Sequence, residues 1–212
     1  MKIINAGYEF ITPINGEVIL KRIEQAGRVC YKSEDLITKD SAKRFCANII
    51  KRGHEAVLEH CSFTVKFIVD RGISHELVRH RIASYCQEST RYCNYSKDKF
   101  GNEITVVKPC FWDEGSNEYA LWKEAMEKSE FYYFTLLNQT GTTAQKARSV
   151  LPNSLKTEVV VTTNIRGWRN FLKLRTGIAA HPQMREVTIP LLKELQEKIP
   201  VLFDDIEVEC DE

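Results

Sequence analysis

Residues 63–69, FTVKFIV, alternate strictly. Phe63, Val65, Phe67 and Val69 fall on one face of an extended chain, and Thr64, Lys66 and Ile68 fall on the other. A strand of this kind has to cover its apolar face, with a second sheet or with helices. The rest of the chain offers mainly helices. Residues 16–31 carry Val18, Ile19, Ile23 and Ala26 at helical spacing, and residues 40–52 follow with Asp40 or Ser41 as cap and Gly53 as stop. A long helical pattern runs over 117–138, with Trp122, Met126, Tyr133 and Leu137 near one face; a short helix follows at 142–150, and further helices suit 165–175 and 182–198. Within the last, Pro182 suits the first turn, whereas Pro190 should kink or split the helix. Other strand signals are few: Ile3 and Ile4 within residues 1–10, residues 104–107 among the loops of 94–116, and TEVVVTT at 157–163. Arg71-Gly72 should end the 63–69 strand, and Ser74 should cap a short helix over 75–81, where Glu76 and Arg79 share a face. The fold class expected is therefore α+β: a single domain over residues 1–212, with long helices packed on a small mixed or antiparallel sheet. The acidic tail after Pro200 is expected to fray.

A core of fair size is within reach, since 43% of the 212 residues are hydrophobic and 28% are charged. The net charge of +1 argues against a general nucleic-acid surface, so any anion site has to be a local cluster. No apolar run is long enough to span a bilayer, and the first twenty residues lack the pattern of a secretory signal. The seven cysteines, Cys30, Cys46, Cys61, Cys86, Cys93, Cys110 and Cys210, include no CxxC pair. They read as free thiols in a reducing cytoplasm, with neither a disulfide framework nor zinc spacing. His54, His60 and His80 are too scattered to argue for a metal.

The chemically dense stretch is Arg79-His80-Arg81-Ile82-Ala83-Ser84-Tyr85-Cys86-Gln87-Glu88-Ser89-Thr90-Arg91. Guanidinium forks beside hydroxyls suit a phosphate and the oxygens of a flat ring. The plain alternative is a solvated surface on which Arg79 and Arg81 pair with Glu76 and Glu88 at little energetic consequence. No Gly-rich turn follows a strand, so a flavin or nicotinamide ligand would be held without a dinucleotide-binding fingerprint.

Arg-His-Arg, seven residues, Ser, then Arg two further on resembles the signature of the flavin-dependent thymidylate synthases. Three other segments are similar to that family: Gly53-His54-Glu55 through His60, Ala147-Arg148-Ser149-Val150-Leu151-Pro152, and Asn164 through Arg175, followed by His181, Gln183 and Glu186. The resemblance spans most of residues 53–186. It implies reductive methylation of dUMP to dTMP, with FAD, NADPH as reductant and methylenetetrahydrofolate as carbon donor, and no protein nucleophile. It implies that Glu76, Arg79, Gln87, Glu88, Ser89, Thr90, Arg91, Arg148 and Arg175 bind dUMP, Arg175 also activating the uracil ring. It assigns His54, Ala56, Arg79, His80, Arg81, Gln87, Asn164, Arg166, Asn170 and His181 to FAD. It further implies a homotetramer with sites shared between subunits, acting on small molecules without nucleic acid or membrane. The chain departs from the family pattern at Ala56, where a hydroxyl residue is common, at Glu76, where Gln is common, and at Cys86-Gln87 and Thr90. Trp168, Phe171 and Leu172 are most simply core.

Two rival functions stand beside this one. Cys86 invites a thiolate-dependent thymidylate synthase, but the surrounding sequence of that class is missing, and Cys86 reads as a small packing residue. Tyr85, Tyr92 and Tyr95 near the arginines invite a non-enzymatic RNA-binding module; the balanced net charge weighs against it.

Overall fold

A computed structural model describes residues 1–208; Cys210 lies outside them. In chain order the elements are β1 (Lys2–Ile4), β2 (Gly7–Phe10), α1 (Gly16–Val29), α2 (Ser41–Arg52), β3 (Ser62–Asp70), α3 (Arg71–Leu77), β4 (Ser84–Gln87), β5 (Thr105–Val107), α4 (Asn117–Gln139), α5 (Ala144–Ala147), β6 (Lys156–Asn164), α6 (Ile165–Arg175), α7 (Pro182–Lys198) and α8 (Pro200–Phe203). Helices dominate two small sheets, which is the α+β class expected. One sheet pairs β1 with β5 in parallel, Ile3 opposite Val106. The other has the strand order β2-β3-β6-β4.

By their contacts the residues fall into two compact units. The first comprises 1–7, 67–79 and 86–160; the second comprises 8–66, 80–85 and 161–212. The strands β3, β4 and β6 supply residues to both.

The first unit is built around Tyr95, Ile104, Val106, Trp122, Met126, Tyr133, Ala147 and Leu155. The long helix α4 begins at Ser116, whose hydroxyl accepts from the Tyr119 N–H and satisfies one of the open donors of the first turn. Three of its four expected inward residues, Trp122, Met126 and Tyr133, are buried, and Leu137 packs partly buried on the same cluster.

In the second unit Phe63 stacks on Trp168 with the ring centroids 4.9 Å apart, and the Trp168 indole N–H donates to the Phe63 carbonyl. Burying that indole costs little because its single donor is satisfied. Trp168, Phe171 and Leu172 are core, as expected. Gly53 ends α2 with φ at +66°, a left-handed turn that glycine takes without a Cβ penalty. On α1 the inward residues are Ile23, Glu24 and Gly27; Val18, expected inside, is exposed.

Four local expectations are corrected. The helix after β3 starts at Arg71 and ends at Leu77, because Asp70, not Ser74, caps it by accepting from the Ile73 N–H at 2.7 Å. Arg79 therefore lies beyond the helix that carries Glu76. The middle of the signature, where the sequence suggests a polar loop running out of that helix, forms strand β4, at the end of the sheet order. The chain after Pro200 is not frayed as far as Ile206: Leu202, Phe203 and Ile206 are buried. Pro190 leaves α7 unsplit; it lies on an exposed side, where the missing N–H costs least.

Candidate active site

Each unit gathers one set of the residues singled out by sequence. In the first unit, β4 delivers Gln87 and the turn 88–91 beside β6. The Glu88 N–H donates to the Glu158 carbonyl at 2.9 Å, and the Tyr92 and Cys93 N–H groups donate back to the Ser89 carbonyl. That turn brings Ser89, Thr90 and Arg91 together. The Ser89 hydroxyl accepts from the Arg91 N–H, and buried Thr90 accepts at its hydroxyl from Arg148 Nη1 at 3.2 Å. Arg91 donates from Nε to Gln145 at 3.2 Å, and its guanidinium lies over the Tyr92 ring. Two guanidinium groups are thus tied to one short turn with hydroxyls between them, a donor set suited to a phosphate. Arg148 and Gln145 come from α5 and the turn that follows it.

Glu88 is the acid in this basic cluster. Its carboxylate accepts from Lys156 Nζ at 3.0 Å and from the Tyr95 hydroxyl at 3.1 Å, and its side chain is only 14% exposed. Burial, and then the charge of Glu88, push the Tyr95 phenol well above its ordinary range. Tyr95 is therefore a permanent donor to the carboxylate. Gln87 donates to the Ser74 hydroxyl at 2.9 Å and to Thr157 at 3.4 Å, so its side chain is oriented from α3 and β6. Arg79 is exposed in the turn after α3, its N–H donating to the Glu76 carbonyl.

In the second unit, Arg81, Asn164, Arg166 and Asn170 line one pocket of about 390 Å³, together with Glu55, Glu59, Ile82 and Gly167. His54, Ala56 and Arg166 belong to another, of about 690 Å³, that also takes in Arg28, Arg52 and Glu55. Arg166 and Glu55 line both. Arg166 is held by Glu59 at 2.7 Å and Glu55 at 3.7 Å. Asn164 caps α6, its side-chain oxygen accepting from the Gly167 N–H at 2.8 Å. Gly167 is required at this spot: a Cβ there would sit 2.2 Å from the Thr163 hydroxyl. That hydroxyl donates to the Ile82 carbonyl of the signature at 2.7 Å.

His80 and Arg175 meet elsewhere in this unit. Arg175 Nε donates to His80 Nε2 at 2.8 Å. The imidazole lies edge-on to Phe171, one turn back along α6, and its carbonyl accepts from the Tyr85 hydroxyl at 2.8 Å. Burial, and then the neighbouring guanidinium, lower the His80 pKa to about 4, so the ring is neutral at pH 7. His181 stands at the start of α7, where Nδ1 accepts from the Gln183 N–H; both pockets described above are lined by other residues.

Sequence reasoning missed Gln145, Ser74 and Lys156, which orient Arg91, Gln87 and Glu88, and it missed Arg169 and Tyr85. Most of these partners lie far along the chain from the residue they serve, so no local spacing announces them. Tyr85 is inside the signature, but its partner is a backbone carbonyl. No group of three or more potential metal ligands occurs among the described residues, and no helix there is long and apolar enough to cross a membrane.

The fold is α+β, with an arginine-and-hydroxyl cluster in one unit and, in the other, a pocket where Arg81, Arg166, Asn164 and Asn170 stand beside Glu55 and Glu59. Over residues 18–201 the sequence matches the family model described as thymidylate synthase complementing protein. The flavin-dependent thymidylate synthase of Corynebacterium glutamicum is 34% identical over 221 aligned positions, covering 96% of this chain and 85% of that protein. That of Corynebacterium aurimucosum is 35% identical over 203 positions, covering 88% and 79%. That of Geobacter sulfurreducens is 35% identical over 192 positions, covering 87% and 81%. The chain belongs to the thymidylate synthase complementing protein family, whose relatives here are flavin-dependent thymidylate synthases.

Proposed function

We propose that this protein is a flavin-dependent thymidylate synthase, an enzyme that makes dTMP by reductive methylation of dUMP. The reading includes FAD as the flavin, NADPH as reductant and methylenetetrahydrofolate as carbon donor. The observation that carries it is the pocket shared by Arg81, Asn164, Arg166 and Asn170, joined through Arg166 to the pocket of His54 and Ala56. The guanidinium groups of Arg81 and Arg166 and the amides of Asn164 and Asn170 supply donors suited to the phosphates and ring imide of FAD, with Glu55 and Glu59 on the same wall. When bound, the flavin would supply the redox and one-carbon chemistry that the side chains lack.

The chain's own residues would bind, orient and balance charge. Arg91, Arg148, Ser89 and Thr90 would hold the phosphate of dUMP. Glu88, held by the Tyr95 hydroxyl and by Lys156, which also pairs with Glu158 at 2.7 Å, would accept from a ligand hydroxyl. Gln87, Glu76 and Arg79 would complete the nucleotide set; His80 and His181 would stand with the cofactor residues. Arg175 would donate to the uracil imide and stabilise charge as the ring becomes nucleophilic. The active form would be a cytoplasmic homotetramer whose subunits share sites, with residues 1–212 as one catalytic domain. The resemblance supports that assembly, and exposed Phe131 and Tyr132 on α4 offer apolar surface for it.

The test is spectroscopic. Purified protein titrated with FAD should bind it, and NADPH should bleach the bound flavin faster when dUMP is present. A well-folded protein that takes up no flavin contradicts the reading.

A further inference from the structure

Arg175 ends α6, where a long side chain has many rotamers to choose from. The structure removes that choice. Its Nε donates to His80 Nε2 at 2.8 Å, and its carbonyl accepts from the hydroxyl of buried Thr188 at 2.8 Å. His80 is itself fixed, by the edge-on contact with Phe171 and by the Tyr85 hydroxyl on its carbonyl. A guanidinium is planar, so fixing Nε fixes the plane and the direction of the terminal nitrogens. Arginine cannot accept, so Nε2 of His80 must carry its lone pair and the ring proton must sit on Nδ1.

We propose that His80 is a positioning residue for Arg175: as a neutral Nδ1–H tautomer it accepts from Arg175 Nε and aims the guanidinium fork at the ring that the fork activates. The proposal rests on the reading of Arg175 as the ring-activating group. The resemblance places His80 against the flavin; Nε2 is engaged by Arg175, so any contact with the cofactor falls to the rest of the ring, and the Nε2 side acts through Arg175. A protonated His80 would lose the acceptor and set two cations side by side. The environment prevents this, since burial and the Arg175 charge both disfavour the imidazolium.

Two measurements test it. In the ligand-free wild-type protein, nitrogen-15 spectra of the histidines should show His80 at neutral pH with an unprotonated Nε2 and a proton on Nδ1. In Arg175→Ala the titration midpoint of His80 should rise toward the ordinary value of about 6.5. Single-turnover dTMP formation at saturating dUMP should fall by about 10-fold in His80→Ala, the worth of one hydrogen bond to a charged group. KM for dUMP should change far less. His80→Gln, whose amide oxygen falls near the position of Nε2, should recover much of the rate. In the Arg175→Ala background, His80→Ala should slow the reaction by less than about twofold, because the two residues act as one unit. If His80→Ala fails to fold, His80→Gln and the spectra decide. A proton on Nε2 in the wild type, or effects that multiply in the double variant, overturns the proposal. A slow Arg175→Ala beside a fast His80→Ala overturns the positioning role alone. A wild-type rate in Arg175→Ala overturns the reading of Arg175 on which the proposal rests.

Discussion

Asp205 grips the guanidinium of Arg169 through both carboxylate oxygens, at 2.6 and 2.7 Å. Arg169 is 2% exposed and also donates to the Leu202 carbonyl, with Glu55 at 3.6 Å from Nε. A single buried cation thus ties α6 to the C-terminal turn and to the 3₁₀ turn Glu55–His60, which carries Ala56. Removing Asp205 leaves that cation without its fork partner. Because the carboxylate is 41% exposed, Asp205→Asn should cost about 2–3 kcal/mol, below the range for a fully buried pair. Urea unfolding at pH 7 reads this directly. The hydrogen bond from Arg169, aided by its charge and that of Lys173, holds the Asp205 carboxyl below its ordinary value against the opposing effect of burial. The stability it contributes is therefore complete above the ordinary aspartate range and is lost as pH falls through the lowered value.

The clamp also shows what a sequence withholds. The strand β3 was legible because its pattern is local: Phe63, Val65, Phe67 and Val69 are all buried. The helices α1, α2, α4, α6 and α7 were legible for the same reason, through apolar spacing and end signals such as Gly53. Strand β4 was not, because as the last strand in its sheet order Ser84–Gln87 carries no buried apolar row. The cap Asp70 was present in the sequence three residues before Ile73, but Ser74 competed with it as an equally good capping residue. Arg169 gave no signal at all, since a buried arginine depends on a partner 36 residues away. The candidate site followed the same rule. Arg81, Asn164, Arg166 and Asn170 were named together from their resemblance and they line one pocket, whereas Gln145 and Lys156 had to be found in space.

His80 predicts a separate pH response. Its folded pKa, about 4, lies below the ordinary histidine value of about 6.5, so the unfolded chain takes up the proton first. The sign follows: stability is full above about pH 6.5 and falls by at most about 1.4 kcal/mol per pH unit down to about pH 4. Unfolding midpoints at pH 7.5, 6 and 5 should show this loss in the wild type and a smaller one in His80→Gln. Identical slopes in the two proteins would contradict the depressed value.

Cys86 is exposed on β4, and in the proposed reaction the one-carbon unit travels on the flavin, not through a protein thiolate. Cys86→Ala should retain most dTMP formation. A loss of several orders of magnitude with dUMP and FAD binding intact would favour a thiolate mechanism instead.

Arg175→Ala should slow methyl transfer by about 10–100-fold, the worth of one charge-assisted hydrogen bond in a site that excludes water. Arg175→Lys should restore only part, because an ammonium cannot reproduce the fork. Flavin binding should survive in both variants, since Arg166 and Asn170 are untouched. Single-turnover rates at saturating dUMP, with the flavin spectrum recorded on the same samples, provide the check.

As a flavin-dependent thymidylate synthase, this chain is expected to make dTMP with a flavin in place of a protein nucleophile. The most direct measurement incubates the purified protein with dUMP, methylenetetrahydrofolate and NADPH, with and without FAD, and quantifies dTMP. dTMP is expected only when FAD is present, with one NADPH consumed per methyl group formed. Equal dTMP formation by flavin-free protein, or none from a folded protein that has bound flavin, would contradict it.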